Sequence, residues 1–243
     1  MPSLTIHDVT ERQLAKTIDH SLLKPELDDA FITDGCRLAA EYDVASVCCR
    51  PADVLRATAI LDGTEVAVGT VIGFPHGSST TATKVFEARE ALANGATELD
   101  MVIQIGALRS GRDADVGADI AAVVEVGHAA DALVKVILEN AYLTDDEKVR
   151  GCRLAEAGGA DFVKTSTGYA PSGTTHEDLA LMRRTVGPRV QIKAAGGVRT
   201  LDDLLAVMAL GVTRIGATQT GPILDDYRAR ISGASPVASA DAV

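Results

Sequence analysis

Residues 161–175 read DFVKTSTGYAPSGTT, and residues 190–200 read VQIKAAGGVRT. Each opens as a short apolar run with a lysine inside it. Each leaves that run through a glycine-bearing stretch. Lys164 and Lys193 stand 29 residues apart, about one strand-plus-helix unit. A lysine at matching places in two successive units argues for a repeated βα framework whose strands carry chemistry on one face.

The period holds along the chain. β-like runs lie at 17–23, 44–50, 66–74, 98–106, 133–139, 162–167, 190–197 and 214–218. The segments between them have helical periodicity. Thr10 with Gln13, and Thr144 with Glu147, have capping-box spacing. The helical stretch 83–96 ends near Gly95, 152–160 ends at Gly158, and 201–211 follows Thr200 and stops at Gly211. Strands alternating with helices through right-handed crossovers close most simply into an α/β fold, the (β/α)8 TIM barrel. An open doubly wound sheet would carry a GxGxxG-like turn near the N-terminus, and none is there. The expected organisation is one barrel domain over 1–231, then a small-residue tail over 232–243 that is expected to be mobile.

Composition agrees with that frame. Of 243 residues, 47% are hydrophobic, yet Trp is absent and Phe and Tyr number four each. The core is therefore aliphatic, as parallel strands under helices require. The net charge of −11 excludes a nucleic-acid surface, which needs a basic stripe. An anionic ligand must be held by a local cluster of donors. Cys36, Cys48, Cys49 and Cys152 form no CxxC pair, and reduced thiols in a cytoplasmic protein are expected. No apolar leader opens the sequence and no run approaches about 20 apolar residues, so no membrane association is expected. The histidines His7, His20, His76, His128 and His176 form no HxxxH or HExxH pair. Neither a metal nor a cofactor is expected, and His20, beside Asp19, is expected to make a structural hydrogen bond.

Side chains alternate along a strand. One face carries Ser46, Cys48 and Arg50; then Glu98, Asp100, Val102 and Gln104; then Lys135, Ile137 and Glu139; then Phe162, Lys164 and Ser166; then Gln191, Lys193 and Ala195. The other face is apolar, with Val47, Leu99, Met101, Val134, Val136, Val163 and Ile192. The apolar face must meet the helices, so Cys48, Asp100, Lys135, Lys164 and Lys193 converge inside the barrel. A buried ammonium is costly unless paired or neutral. Three lysines against one or two carboxylates leave at least one amine without a proton, and a neutral amine attacks carbonyls. Lys193, one strand from Lys164, is expected to stay protonated and to depress Lys164 by like-charge repulsion.

The second feature is backbone suited to anions. TSTGY (165–169), AAGGVRT (194–200) and GATQTG (216–221) follow the sixth, seventh and eighth runs. Glycines there let N–H groups approach a phosphate, with helix N-termini behind them. Gly168, Gly196, Gly197, Thr218 and Gln219 are the candidate phosphate ligands.

The stretches TIDHSLLKP (17–25), VCCRP (47–51), VIGFPHG (71–77), KVFEAREALANGATELDMVIQIGAL (84–108), VKVILE (134–139), DFVKTSTGY (161–169), KAAGGVRT (193–200) and RIGAT (214–218) resemble the deoxyribose-phosphate aldolase family over nearly the whole chain. The resemblance implies a class I aldolase on a (β/α)8 barrel, reversibly cleaving 2-deoxy-D-ribose 5-phosphate to acetaldehyde and D-glyceraldehyde 3-phosphate. Lys164 would form the Schiff base, with Asp100 and Lys193 as proton-transfer and tuning partners. Asp19, Cys48, Lys135 and Thr167 would line the pocket. The imine is expected to permit cleavage at C3–C4. A homo-oligomer, dimer or tetramer, is expected. Three places depart from the family pattern: Gln219 in the third loop, Cys49 with Arg50, and a tail ending in SADAV without the tyrosine that some members carry.

Overall fold

The computed structural model describes residues 3–233. The tail expected over 232–243 lies outside the described residues, apart from Ser232 and Gly233. The β-like runs become β1 (Ile18–Leu22), β2 (Ser46–Cys49), β3 (Ala67–Ile72), β4 (Glu98–Val102), β5 (Leu133–Ile137), β6 (Phe162–Lys164), β7 (Gln191–Ala195) and β8 (Arg214–Ala217). They pair in sequence order, all parallel, and β8 closes on β1. The helices are α1 (Glu11–Ala15), α2 (Asp29–Glu41), α3 (Val54–Leu61), α4 (Thr81–Ala93), α5 (Ile105–Arg109), α6 (Asp113–His128), α7 (Asp145–Ala157), α8 (His176–Thr185), α9 (Leu201–Ala209) and α10 (Thr220–Ile231).

The helix starts obey local hydrogen-bond chemistry. Thr10, Thr144 and Thr200 each form a complete capping box, with Gln13, Glu147 and Asp203. Each box satisfies two amide donors that the first turn leaves orphaned. Gly158 caps α7 as expected, with left-handed Gly159 after it. The other two stops fall one residue short of the expected glycines: Asn94 caps α4 with Gly95 following at φ +100°, and Leu210 caps α9 before Gly211.

The outward face of the barrel is the core. Val47, Leu99, Met101, Val134, Val136, Val163, Ile192 and Ile215 are fully buried beneath the helices. Each such side chain contributes about 1.5–3 kcal/mol through removal from water. His20 also faces outward. Its Nδ1 lies 2.9 Å from the Thr220 hydroxyl, tying β1 to the start of α10, and burial brings its pKa down to about 4. This is the structural hydrogen bond expected of it.

Every strand is shorter than its apolar run, and alternation fails beyond the true ends. The run 98–106 stops at Val102; Gln104 then caps α5. Arg50 leaves the barrel and pairs with Asp53 at 2.6 Å. Glu139 adopts φ +57° beyond β5. The inward positions predicted for Arg50, Gln104 and Glu139 are therefore corrected: period two describes a ladder, and these residues lie past it.

Candidate active site at the C-terminal end of the barrel

Strand register stacks the inward side chains in layers. Asp19 on β1 lies between Ser46 and Gly216; Gly69 on β3 lies between Cys48 and Glu98. Lys135 on β5 lies between Asp100 and Phe162; Lys193 on β7 lies between Lys164 and Arg214. Even strands thus give a floor of Ser46, Glu98, Phe162 and Arg214, and an upper layer of Cys48, Asp100, Lys164 and Gly216. Odd strands give the layer between, Asp19, Gly69, Lys135 and Lys193. This is the alternate-strand layering of parallel barrels. A Cβ on Gly216 would touch the Lys193 Cε at 3.9 Å, so the missing side chain opens room beside the amines.

The inward polar groups form one buried ionic cluster. Lys164 Nζ donates to Asp100 Oδ2 at 2.7 Å, and Lys193 Nζ donates to the same oxygen at 2.8 Å. Lys193 also donates to Asp19 at 2.5 Å. Lys135 donates to Glu98 at 2.6 Å and to the other Asp100 oxygen at 2.8 Å. Arg214 donates to Asp19 at 2.5 Å and to Glu98 at 2.9 Å. Alternation placed Glu98 on the inner face, and the structure makes it part of the cluster; Arg214 is the member that sequence reasoning missed. The signal was present: Arg214 precedes the inward Gly216 by two.

The electrostatics differ from expectation in cause. Burial is the leading influence lowering the Lys164 pKa; Asp100 opposes it, and repulsion from Lys193 comes after both. Repulsion alone is thus not what depresses this amine. Burial also disfavours the charge on Lys193, but Asp100 and Asp19 overcome it and hold the ammonium above the ordinary lysine range. Burial opposes the Asp100 charge too, yet Lys135, Lys164 and Lys193 hold it well below the usual carboxylate range. Asp100 therefore stays ionised and accepts protons poorly. Cys48 is pushed up to about 11, chiefly by burial, so it is an inert thiol. Cys48, Asp19 and Lys135, expected in the pocket lining, lie buried beneath the cavity instead, while Thr167 does line it.

Above the cluster lies a cavity of about 280 Å³, lined by Lys164, Thr167, Gly168, Gly196, Gly197 and Thr218, with Ser21, Lys24, Tyr169 and Arg199 at its walls. Lys164 is 3% exposed at its base, whereas Asp19, Asp100, Lys135 and Lys193 are at 0–1%. Lys164 is thus the member of the buried cluster that meets the cavity. A larger hollow of about 490 Å³ lies between α4 and α6, around Arg89 and Glu125. It sits on the outer helices, away from the strand ends where barrel chemistry is found.

Three glycine-bearing loops form the far wall, as the sequence pattern predicts. Gly168, Gly196 and Gly197 have φ of +89°, +75° and +114°. Gly173, overlooked in the sequence, matters through contact: a Cβ there would stand 2.1 Å from the Gly196 carbonyl oxygen. Thr218 lies on the wall. Gln219 is the N-cap residue of α10, where its side chain makes no cap bond. Thr167 donates its hydroxyl to Glu139, and its amide lies 3.2 Å from the same carboxylate. Tyr169 reaches across the cavity mouth, its hydroxyl 2.8 Å from the Leu23 carbonyl and its ring edge-on to Phe74. Lys24 and Arg199 put two cations beside a wall of backbone amides, the donor set that an anion requires. Among the described residues, no group of three or more His, Cys, Asp or Glu side chains is placed to hold a metal ion.

A family model described as DeoC/LacD family aldolase matches residues 14–226. The chain belongs to this family. Among its relatives in the DeoC/LacD family, a deoxyribose-phosphate aldolase of Macrococcus caseolyticus is 52% identical over 217 residues, covering 89% of this chain and 98% of the relative. Deoxyribose-phosphate aldolase 2 of Bacillus licheniformis is 54% identical over 205 residues, covering 84% and 92%. A putative deoxyribose-phosphate aldolase from Coccidioides immitis superposes with a TM-score of 0.87 at 40% identity, over 94% of this chain and 88% of that one. The deoxyribose phosphate aldolase of Aeropyrum pernix, whose structure is described as tetrameric, gives 0.84 at 27% identity, over 91% and 93%. The lysine-bearing barrel thus has aldolase relatives across the full fold.

Proposed function

We propose that this chain is a deoxyribose-phosphate aldolase working through an imine on Lys164. The observation that carries the reading is one buried amine at the base of a cavity, with its pKa lowered by burial, 2.7 Å from a carboxylate that it shares with a second, protonated lysine. Neutral Lys164 attacks C1 of the open-chain sugar phosphate. Loss of water leaves a protonated imine. A base takes the O3 proton, C3 becomes the new aldehyde, and the bonding pair flows into an enamine. Carbon count corrects the cut expected from the sequence. A five-carbon sugar that yields a two-carbon enamine breaks between C2 and C3, not C3 and C4. Protonation of C2 and hydrolysis then release acetaldehyde and free Lys164.

The proton roles separate on electrostatic grounds. Asp100 stays ionised and anchors both amines, while the Lys193 ammonium is the acid nearest the reacting carbons. Cys48, Asp19 and Lys135 support the cluster from behind. Gly168, Gly196, Gly197 and Thr218, with Lys24 and Arg199, receive the phosphate, and Gln219 stands one residue behind that wall. The enzyme works in deoxyribose catabolism on sugar phosphate and aldehydes. It is a cytoplasmic protein, a reading supported by four buried free thiols. It is a homo-oligomer, a reading supported by Phe31, Leu55 and Phe86, each more than half exposed on α2, α3 and α4.

Reduction with borohydride in the presence of acetaldehyde, followed by peptide mapping, tests the mechanism. The label is expected on Lys164, with turnover unchanged in excess chelator. A label on any other lysine, or turnover lost to chelator, overturns it. The phosphate site has its own test. Gly197→Val, at a backbone position already at φ +114°, is expected to raise KM for the phosphorylated sugar by about tenfold or more, the loss of about one hydrogen-bonded anion contact. Free deoxyribose should be affected much less. Equal losses for both substrates would make the loop purely structural.

A further inference from the structure

The charges in the barrel do not balance if every group takes its usual form. Lys135, Lys164, Lys193 and Arg214 are four cations, and Asp19, Glu98 and Asp100 are three carboxylates. Cys48, the other titratable group against Lys164, keeps its proton because burial raises its pKa. Glu139 is occupied with Thr167 beyond the end of β5. One positive charge is therefore in excess in a compartment whose lysines are 1–3% exposed. An uncompensated charge buried that deeply is expensive, and the cheapest relief is to release one proton.

We propose that Arg214 and Glu98, on the barrel floor, set the charge count that leaves Lys164, and not Lys135 or Lys193, without its proton. The inference rests on the reading of Lys164 as the imine-forming amine. Arg214 cannot yield the proton, because a guanidinium does not deprotonate in proteins. Lys135 lies within 4 Å of three carboxylates, at 2.6, 2.8 and 3.5 Å. Lys193 has two, at 2.5 and 2.8 Å. Lys164 has one, and shares that oxygen with Lys193. Arg214 touches neither Lys164 nor the cavity; it acts as a positioning residue through Asp19 and Glu98. Its fixed charge occupies carboxylate capacity that would otherwise stabilise an ammonium at Lys164. Glu98 has the opposite sign and joins Arg214 to Lys135.

The count gives opposite expectations for the two floor residues. Arg214→Met leaves three cations and three carboxylates, so Lys164 keeps its proton. Glu98→Gln leaves four against two, so Lys164 loses its proton at lower pH. The double variant leaves three against two and restores an excess of one. Arg214→Lys keeps the parent count. The readout is the rate of reductive trapping with acetaldehyde against pH, with the labelled lysine mapped in each protein. Arg214→Met is expected to shift the profile toward alkali and lower trapping at pH 7 by about tenfold or more, one pH unit being tenfold in free amine. Glu98→Gln should shift it toward acid. Arg214→Lys and the double variant should lie near the parent. If Arg214→Met does not fold, Glu98→Gln and the double variant still carry the comparison. Labelling of a different lysine in the parent would remove the underlying reading of the nucleophile. Labelling of Lys164 in the parent, with single variants that shift the same way or not at all, would leave that reading intact and overturn this one.

Discussion

Lys164→Met is expected to abolish turnover while leaving the protein at least as stable as the parent. The fall in kcat should be about five decades or more, the scale seen when a covalent nucleophile is removed. The stability expectation comes from the same charge count. Without Lys164, the cluster keeps Lys135, Lys193 and Arg214 against Asp19, Glu98 and Asp100, a balanced set with no proton to shed. Methionine fills the lysine's volume along the cavity floor at little packing cost. Thermal unfolding and single-turnover assays check both halves. Turnover above about a hundredth of the parent's would mean that another amine forms the imine. A large drop in melting temperature would mean that Lys164 rests as an ammonium needed by Asp100.

Asp100→Asn is expected to do the reverse, damaging the fold and the proton transfers while sparing imine formation. Asp100 is the hub of the cluster: Lys135, Lys164 and Lys193 all reach it within 2.8 Å. A neutral amide in its place strands buried cations, and breaking a buried pair costs about 3–5 kcal/mol. For a chain of this size that is a drop of roughly ten degrees in melting temperature. Turnover should fall by about two to four decades, because the Lys193 acid loses its anchor. Trapping at neutral pH should persist, since Asp100 favours the ammonium form of Lys164 and its loss leaves the amine freer. The pH dependence has a definite sign. The Asp100 carboxyl is held well below its usual value in the folded state. Its contribution to stability is therefore complete above the unfolded carboxylate pKa of about 3.9 and is lost as pH falls through the lower folded value. The stability gap between parent and variant should be full at pH 7 and should begin to close near pH 4. A gap that is constant down to strong acid would remove Asp100 from the centre of the network.

Much of this is legible in the amino-acid sequence. The lysines of VKVILE, DFVKTST and VQIKAAGG declare themselves because an ammonium inside an apolar run is a local contradiction with few resolutions. Alternation then assigns Cys48, Asp100 and Lys135 to the same interior, and the register places them there. The limits of the reading are equally physical. Apolar runs overshoot the ladders, since residues past a strand end can be apolar without being paired, so Arg50, Gln104 and Glu139 were drawn inward wrongly. Arg214 opens the last short run, and nothing along that run but its alternation with Gly216 marks it as an inward charge. Only closure of β8 onto β1 brings it to Asp19. The balance of burial, attraction and repulsion at Lys164 depends on distances between strands, which spacing along one chain does not contain.

The ion pairs within the barrel also order events in the life of the polypeptide. Asp19 is synthesised early, and its partners Lys193 and Arg214 follow 174 and 195 residues later. No native-like version of the cluster exists until the last strand has emerged and the ring has shut. Until then Lys164 is a hydrated lysine titrating near 10.4, protonated and unreactive toward aldehydes. On the proposed imine mechanism, a nascent chain on the ribosome therefore carries Lys164 in a safe form, and completion of the cylinder is the step that arms it.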